Sequence, residues 1–343
     1  MRILKTITLA HGAGGRETGE IIEKFFVNLF KIKRVGEGIG LDDLEDSATI
    51  PLSDGGHLAF TIDSYTVNPI FFPGGNIGKL AATGTINDLA VMGAKPLAAM
   101  DSMVIEEGFS IEDLEKILSS MKGVLEKYNI ALIGGDFKVM PKDQVDKIVL
   151  TMAGIGLIPK GRLIKDSYVK PGDKIVVTGP IGEHGAAIMI AQAGLEAEAP
   201  NIRSDCAPII DAMEAAFTIG GIHAAKDPTR GGLAMALNDW AKKAKVSIII
   251  WEEKVPLREE VRIYSEMLGI DPFTLASEGI ALIAVKQDKA EELVNKLKNM
   301  GYKKAEIIGE VRKEREGYVL VETISGGLRI LEPPVGEIVP RIC

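Results

Sequence analysis

Apolar runs of strand length alternate along the chain with segments whose apolar residues recur at helical spacing. The runs are rich in Ile and Val and end at Gly, Pro or Asp, which is typical of strands. Six runs predict strands: 58–63, 97–105, 148–158, 174–179, 246–251 and 280–285. Helical spacing predicts helices over 18–31, 78–92, 110–125, 183–194, 205–219, 231–244 and 290–300. Because strands and helices are mixed over the whole length, the pattern predicts an α/β or α+β fold of packed layers.

A polar stretch that contains Pro and Gly interrupts the pattern near the middle of the chain. Residues 159–174 follow the long run at 148–158, and the alternation of strands and helices then starts again. Such a stretch is typical of a boundary between domains. We therefore predict a first domain over 1–160 and a second domain over 161–315.

The C-terminal part, 316–343, has a different pattern. Residues 316–330 are typical of a strand pair, and three of the residues that follow are prolines. Proline lacks an N–H and has a fixed φ, so this tail is expected to be neither a helix nor a central strand. We expect a flexible, extended tail with the exposed thiol of Cys343 at its tip.

The composition limits the kind of protein. Hydrophobic residues make up 46% of the chain and charged residues 26%, so the chain can bury a core and is not disordered. A formal net charge of −8 without a cluster of Lys or Arg argues against nucleic acid or an anionic membrane as a partner. No apolar stretch reaches the ~18 residues that span a bilayer, and the start lacks the pattern of a signal peptide. With only two cysteines, the sequence predicts a cytoplasmic protein without disulfides.

Five acidic residues stand at predicted strand ends or in Gly-rich turns and are the first candidates for chemistry. They are Asp63, Asp88, Asp136, Asp227 and Glu278. Asp63 ends the run at 58–63, and Asp136 follows the strand-like segment IALIGG at 130–135. Carboxylate oxygens are ligands for Mg²⁺, together with phosphate oxygens, and a triphosphate needs its charge neutralised before its γ-phosphoryl group can move. Each residue alone is more simply a cap or a turn residue. Five together, in a chain without a Walker motif, favour an ATP site of another kind.

Two Gly-rich loops precede predicted helices. The first contains Gly14 and Gly15, whose N–H groups could cradle a phosphate; a flexible turn is the alternative. The second loop, at 178–187, is equally a tight turn or a phosphate contact. The histidines in these loops, His11 and His184, either touch phosphate or are solvated.

The two cysteines have different surroundings. Cys206 precedes Ala-Pro at a predicted helix start, and we interpret it as a small buried residue. Cys343 is the last residue of the sequence, on a tail that is expected to offer it no packing. A thiol on such a tail can carry a covalently bound group into an active site at a high effective concentration. The alternative is a cysteine without a function.

The acidic motifs resemble those of the PurM-like ATP-binding superfamily, which includes aminoimidazole ribonucleotide synthetase, selenophosphate synthetase and thiamine monophosphate kinase. These motifs are TIDS at Asp63, INDLAVMGAKP at Asp88, GGD at Asp136 and DPTRGGLA at Asp227. The HGAGG start, the GGDFKVM segment and the final PRIC narrow the resemblance to the HypE family of hydrogenase maturation proteins. The resemblance covers essentially the whole chain.

The resemblance implies a two-domain α+β fold, in which the sheets of the N-terminal domains pair in a homodimer and ATP lies between the domains. It also implies a reaction on the terminal cysteine. A carbamoyltransferase, HypF, places a carbamoyl group on this residue, and ATP is then used to dehydrate the S-carboxamide to an S-cyanate. The cyano group passes to iron on a HypC–HypD complex and becomes a cyanide ligand of [NiFe]-hydrogenase.

Within this resemblance each candidate residue receives a role. Mg²⁺ and ATP are held by the carboxylates of Asp63, Asp88, Asp136 and Asp227. The further nucleotide contacts are Asn87, Gly14 and Gly15. Lys138 is the candidate cation for the charge that develops during the reaction, and Glu278 is the candidate base for the N–H protons. Cys343 carries the substrate.

Two other functions stay open at the level of the sequence. One is another enzyme of the superfamily, such as a small-molecule kinase or a cyclo-ligase, which would keep full turnover after Cys343→Ala. The other is a non-catalytic carrier whose thiol only shuttles a group. A carrier would neither hydrolyse ATP nor lose function in Asp88→Asn or Asp136→Asn.

Overall fold

The computed structural model describes residues 6–336, 339 and 341–343. This part of the chain contains fourteen strands and eight α-helices. The strands are β1 (Ala48–Pro51), β2 (His57–Tyr65), β3 (Phe71–Phe72), β4 (Gly75–Asn76), β5 (Lys95–Glu106), β6 (Ala131–Met140), β7 (Ile148–Ile158), β8 (Lys174–Val177), β9 (Ile222–Lys226), β10 (Ser247–Trp251), β11 (Leu282–Val285), β12 (Glu306–Arg312), β13 (Val319–Glu322) and β14 (Leu328–Ile330). The helices are α1 (Arg16–Ile22), α2 (Ile77–Val91), α3 (Ile111–Lys127), α4 (Glu183–Ala193), α5 (Ile210–Ile219), α6 (Gly232–Ala244), α7 (Glu259–Leu268) and α8 (Gln287–Asn299). None of these helices has the length and apolar character needed to cross a membrane.

Five strands from residues 48–158 form the first sheet, in the order β1-β2-β7-β5-β6. Strands β5 and β6 run parallel, and the other neighbours are antiparallel. Helix α2 packs against β2, β7 and α3 and is buried along almost its whole length. Its start is fixed by Asn76, whose side chain accepts hydrogen bonds from the N–H groups of Gly78 and Lys79. The first sheet on one side and α3 on the other therefore shield α2 from water.

Seven strands form the second sheet, in the order β14-β13-β10-β12-β8-β11-β9. The short central strand β8 is buried on both faces. Ile175 and Val177 belong to the core under α6, whereas Val176 belongs to the core under α5 and α8. Successive side chains of a strand point to opposite sides, so one strand serves two apolar layers. Helices thus cover both faces of this sheet.

All six predicted strands and all seven predicted helices are present, with shifted ends. Helix α1 ends at Ile22, well before the predicted end at 31, and α5 begins at Ile210 because residues 202–209 form neither a helix nor a strand. There the Asp205 carboxylate accepts hydrogen bonds from the backbone N–H groups of Glu278 and Gly279. The sequence pattern missed β1, β9, β12, α7 and the two-residue strands β3 and β4. Strand β9 is short and contains two adjacent alanines, so it lacks the alternation that indicates a strand.

The tail is docked rather than exposed. Strands β13 and β14 join the second sheet through β10, and the chain then returns to the first domain. There the Thr66 N–H donates to the Cys343 backbone oxygen at 3.0 Å, and the Asn68 N–H donates to the Arg341 oxygen at 3.0 Å. Cys343 is partly buried and packs against a core cluster. The expectation of an exposed thiol without packing is wrong, because these strand-like hydrogen bonds hold the tail.

The crossing of α2 and α3 gives a test of the packing. A Cβ atom at Gly78 on α2 would lie 2.2 Å from the Ile117 carbonyl oxygen on α3. We expect Gly78→Ala to lower the thermal unfolding midpoint, because overpacking of a buried contact costs about 1–3 kcal/mol. Scanning fluorimetry measures the midpoint.

Gly123 on α3 provides the matched control. A Cβ atom there meets nothing within 4 Å, so Gly123→Ala should leave the midpoint unchanged or raise it, since Ala is the better helix former. Equal midpoints for the two variants would show that the helices do not approach closely at Gly78.

Candidate active site between the two sheets

Three predicted carboxylates meet where the first sheet, α2 and the second sheet come together. Asp63 lies on β2, Asp88 on α2, and Asp227 directly after β9. Asp63 and Asp88 are near enough to shift each other's pKa, and Thr61 Oγ1 donates to Asp88 Oδ2 at 2.7 Å. The prediction that Asp63 ends its strand is wrong, because β2 continues its pairing with β7 through Tyr65.

These carboxylates raise one another's proton affinity. Burial raises the pKa of Asp63, of Asp88 and of Asp227, and neighbouring carboxylates raise each of them further. The pKa of Asp227 reaches about 8. Repulsion of this kind is relieved by a proton or by a cation. The cluster is therefore a place where positive charge is stabilised.

Asp46 is a further carboxylate of this cluster that the sequence motifs do not single out. Its charge raises the pKa of Asp88 and of Asp227. Its Oδ1 accepts a hydrogen bond from Lys226 Nζ at 2.8 Å, while its Oδ2 and the Oδ2 of Asp227 are buried without a hydrogen-bond partner. Buried oxygens of this kind need a donor or a cation.

The donor set fits Mg²⁺, although the described residues hold no three side chains already arranged as metal ligands. Mg²⁺ usually binds through one or two carboxylates and completes its shell with water and phosphate oxygens. The unpartnered oxygens of Asp46 and Asp227 are available for such a contact. Asp63 and Asp88 lie beside them, so these four residues are the candidates for holding a cation.

Glu278 is buried at the edge of the same cluster and is 2% exposed. Burial, followed by the charges of Asp227, Asp205 and Asp63, raises the pKa of Glu278 well above its usual value. The Glu278 N–H donates to Asp205 Oδ1 at 3.1 Å, and Asn87 Nδ2 donates to the Glu278 carbonyl oxygen at 3.1 Å. These two bonds fix the backbone that carries the predicted base.

The sequence predicts Asn87 as a nucleotide contact, but its amide is engaged with the protein backbone. Besides its bond to Glu278, its Nδ2 donates to the Ala207 carbonyl oxygen at 3.4 Å and its Oδ1 accepts from the Ile209 N–H at 2.9 Å. The residue is fully buried. Asn87 therefore ties α2 to the second domain and orients the backbone of Glu278.

The thiol of Cys343 lies against the acidic cluster. Burial raises the pKa of Cys343 to about 12; the charge of Arg230 opposes this shift, and the charges of Glu278 and Asp63 add to it. The pKa of Arg230 is raised in turn, most strongly by Cys343. The structure thus brings the predicted thiol and the predicted base together. It adds a guanidinium from the DPTRGGLA motif, which the sequence analysis uses only through its Asp227.

Gly14 and Gly15 allow the N-terminal loop to lie close to Arg230 and to the tail. A Cβ atom on Gly14 would lie 2.5 Å from Arg230 Cβ, and one on Gly15 would lie 2.9 Å from the Pro334 carbonyl oxygen. Gly14 also has a φ of +79°, which favours glycine. Its N–H donates to Thr18 Oγ1 at 2.9 Å. A phosphate contact of these two glycines stays a prediction.

Asp136 and Lys138 lie apart from the cluster within one chain. Both are exposed on the edge strand β6, where they form an ion pair with each other. The prediction that Asp136 follows its strand is wrong, because it pairs with Ser102 of β5 inside β6. A single chain therefore does not bring these two residues to the carboxylates at the junction of the two sheets.

Comparison with known proteins gives the family. The N-terminal domain of AIR synthase related proteins matches residues 44–158, and the C-terminal domain matches residues 170–322. A Methanocaldococcus jannaschii protein of hydrogenase expression and formation is 48% identical, covering 98% of this chain and 99% of that one. Carbamoyl dehydratase HypE of Rhodobacter capsulatus is 39% identical and covers 98% of both chains. The chain belongs to the HypE family.

Solved HypE structures share the whole fold. A HypE chain in a HypE–HypF complex is 40% identical with a TM-score of 0.84, covering 92% of this chain and 99% of that one. HypE in complex with ATP is 35% identical with a TM-score of 0.80, covering 98% of this chain and 100% of that one. The predicted family and the predicted two-domain, PurM-like α+β fold are confirmed.

The raised pKa of Asp227 predicts a pH dependence of stability. It is about 8 in the folded protein, against about 3.9 for an unperturbed Asp in an unfolded chain. Between these values the folded state holds a proton that the unfolded state has lost, so this residue makes stability fall as the pH rises towards 8. We expect Asp227→Asn to flatten the fall of the unfolding midpoint between about pH 6 and pH 8, without ATP or Mg²⁺.

Asp136→Asn is the control for this experiment. The hydrogen bond from Lys138 lowers the pKa of Asp136, so this residue is ionised in both states over that range and adds no slope. An Asp227→Asn variant with the pH profile of the unsubstituted protein would contradict the burial of an uncompensated carboxylate at this position.

Proposed function

We propose that this chain is an ATP-dependent carbamoyl dehydratase that converts an S-carboxamide on its own Cys343 to an S-cyanate. The observation that carries the proposal is the docking of the Cys343 backbone on Thr66, which brings the thiol within the electrostatic reach of Arg230, Glu278 and Asp63. A thiol in this position is placed to present a covalently bound group to a base and a cation. Relatives named carbamoyl dehydratase HypE, aligned over 98% of this chain, support the same activity.

The reaction needs a leaving group, a base and the exclusion of water. The γ-phosphoryl group of ATP goes to the carboxamide oxygen, which leaves as phosphate while the nitrogen loses two protons and C≡N remains. Glu278 accepts a proton from nitrogen in its ionised form, whose proton affinity is high because its surroundings raise its pKa. Arg230 holds positive charge beside Cys343, where negative charge develops on oxygen. Burial of the docked tail keeps water from the phosphorylated intermediate.

Four carboxylates would hold the metal ion: Asp46, Asp63, Asp88 and Asp227. When bound, Mg²⁺ supplies positive charge that neutralises the triphosphate. Gly14 and Gly15 are assigned to nucleotide contacts of the N-terminal loop, and Asn87 acts through the backbone of Glu278. A solved relative in complex with ATP supports a nucleotide site in this fold.

The carbamoyl group comes from outside the chain. A relative has been solved in complex with HypF, and we assign the role of carbamoyl donor to this carbamoyltransferase. The cyano group then passes to iron on a HypC–HypD complex. We place the reaction in the cytoplasm, because Cys343 has to remain a free thiol between cycles.

Mass spectrometry of the peptide that contains Cys343 tests the proposal. Incubation of the S-carbamoylated protein with ATP and Mg²⁺ should remove the mass of one water from this peptide. We expect Glu278→Gln to slow the loss about a hundredfold or more, because proton transfer by a positioned base contributes effects of this size. Glu198→Gln, at an exposed glutamate, is the matched control and should react at the normal rate.

The other outcomes point to the rival functions. ATP turnover with an unchanged peptide mass would contradict dehydration and favour a kinase of a small molecule. A carbamoyl group that persists without any ATP hydrolysis would favour a carrier.

We also propose a homodimer through the edge of the first sheet. Strand β6 is exposed along its length, and its Ile133, Phe137 and Val139 are each more than half exposed. An open edge with apolar side chains is a template for pairing with another chain. Such pairing would also cover Asp136 and Lys138, and it gives Lys138 a route to its assigned role at the site of a second copy.

Phe137→Lys should break this dimer. A charge on the paired edge opposes strand addition, so the mass in light scattering should fall from about twice to about once the chain mass of 36.8 kDa. Met267→Lys is the control, because Met267 is an equally apolar residue that is 74% exposed on α7. A monomer for the unsubstituted protein, or a dimer for Phe137→Lys, would contradict this interface.

A further inference from the structure

We propose that His184 is a positioning residue that holds the tail in the site; this inference rests on the function proposed above. His184 is the second residue of α4 and is fully buried. Its Nε2 lies 2.8 Å from the carbonyl oxygen of Ile342, the residue directly before Cys343. The side chain of a residue from the second domain thus binds the backbone that presents the thiol.

The hydrogen bonds of His184 assign its tautomer. Burial lowers the pKa of His184 to about 4, so the ring is neutral. A carbonyl oxygen only accepts, so Nε2 carries the proton and Nδ1 accepts. Ser204 Oγ, 2.8 Å from Nδ1, donates to it and itself accepts from the Cys206 N–H at 3.1 Å. Every polar atom of this relay therefore has a partner of the right kind.

The ring of His184 is also fixed by packing. The edge of Phe72 meets it at a centroid distance of 5.4 Å and an interplanar angle of 84°. Such a T-shaped contact favours one orientation of the imidazole ring. We call His184 and Ser204 together the latch.

The latch and Thr66 act on consecutive residues of the tail. Thr66 holds the Cys343 backbone oxygen through its N–H at 3.0 Å and its Oγ1 at 3.2 Å. His184 holds the Ile342 oxygen one residue earlier. With both carbonyl oxygens fixed, the direction in which the Cys343 side chain leaves the backbone is fixed as well. Without the latch, the backbone of this segment is held only at the carbonyl oxygens of Arg341 and Cys343 on either side of Ile342.

The turn that carries Ser204 also reaches the predicted base. The Asp205 carboxylate accepts the backbone N–H groups of His184, Glu278 and Gly279. The link to Glu278 uses only the backbone of His184. A substitution of the His184 side chain therefore removes the hold on the tail and leaves the bonds to the base in place.

Modification of the two cysteines by a maleimide tests the latch. Cys343 is partly exposed, and Cys206 is 1% exposed and reports unfolding. We expect His184→Phe, which keeps an aromatic ring and removes the donor, to speed modification of Cys343 about three- to tenfold, as for one lost neutral hydrogen bond. His184→Gln, which keeps an N–H donor, should restore protection to within about twofold. His57→Phe, at the far end of β2, should change nothing.

The remaining outcomes separate the latch from the proposed function. On the carbamoylated protein, His184→Phe should slow the loss of water without changing the amount of bound carbamoyl group. If Cys206 becomes reactive too, His184→Phe has unfolded, and Ser204→Ala, which removes the donor to Nδ1, should still raise the reactivity of Cys343 alone. Unchanged Cys343 reactivity in both variants would overturn the latch. If His184→Phe speeds the modification of Cys343 but the carbamoylated, unsubstituted protein never loses water, the dehydratase is overturned and the latch still stands.

Discussion

The crowding of carboxylates at the junction of the two sheets is the constraint on which the rest of the site depends. Asp63, Asp88 and Asp227 come from three separate elements, and burial together with their mutual repulsion raises the pKa of each. Helix α2 can bring Asp88 there only because it is buried along its length between layers of both domains. Lys226, through its bond to Asp46, and Arg230, whose charge acts on Asp63, are counter-charges, but two cations do not balance four carboxylates. The folded chain therefore keeps a demand for positive charge, and a metal–nucleotide complex would meet it.

A substrate that is part of the chain adds a second requirement. Tethering gives the reacting group a high effective concentration, yet a tail that bound too tightly could not return to its carbamoyl donor. The observed contacts suit both needs, since they are mainly hydrogen bonds to backbone atoms of Arg341, Ile342 and Cys343, each with a net contribution of about 1 kcal/mol. Pro333 and Pro334 restrict the free tail to extended conformations, which lowers the entropy that docking removes.

The sequence predicts the layered fold and much of the cluster, because periodicity and short acidic motifs are local properties. Asp88 can be found in this way, since its motif is compact and its helix has a clear pattern. Asp46 could not be found in this way, because it lies in a segment without a glycine or a strand pattern. It joins the cluster only through its tertiary contacts with Lys226 and Asp227. His184 is recognisable only once the tail is seen to pass over α4. Asp136 and Lys138 show the reverse case: their motif is clear, but the structure places them on an exposed edge strand, where they pair with each other.

The docked position suits a carbamoylated Cys343 better than it suits an unmodified Cys343 thiol. Burial beside Glu278 and Asp63 raises the pKa of Cys343 to about 12, so the docked thiol is protonated and is a weak nucleophile at neutral pH. Attack on a carbamoyl donor therefore belongs to a tail that has left the site, where the thiol returns to its ordinary proton affinity. An S-carboxamide has no proton to lose from sulfur, and its amide can use the nearby Arg230 and Glu278, so the electrostatic penalty on the free thiolate does not apply to it. The acidic surroundings thus discourage carbamoylation inside the site but place no such penalty on the carbamoylated form, and the position of the tail keeps the two chemical steps apart.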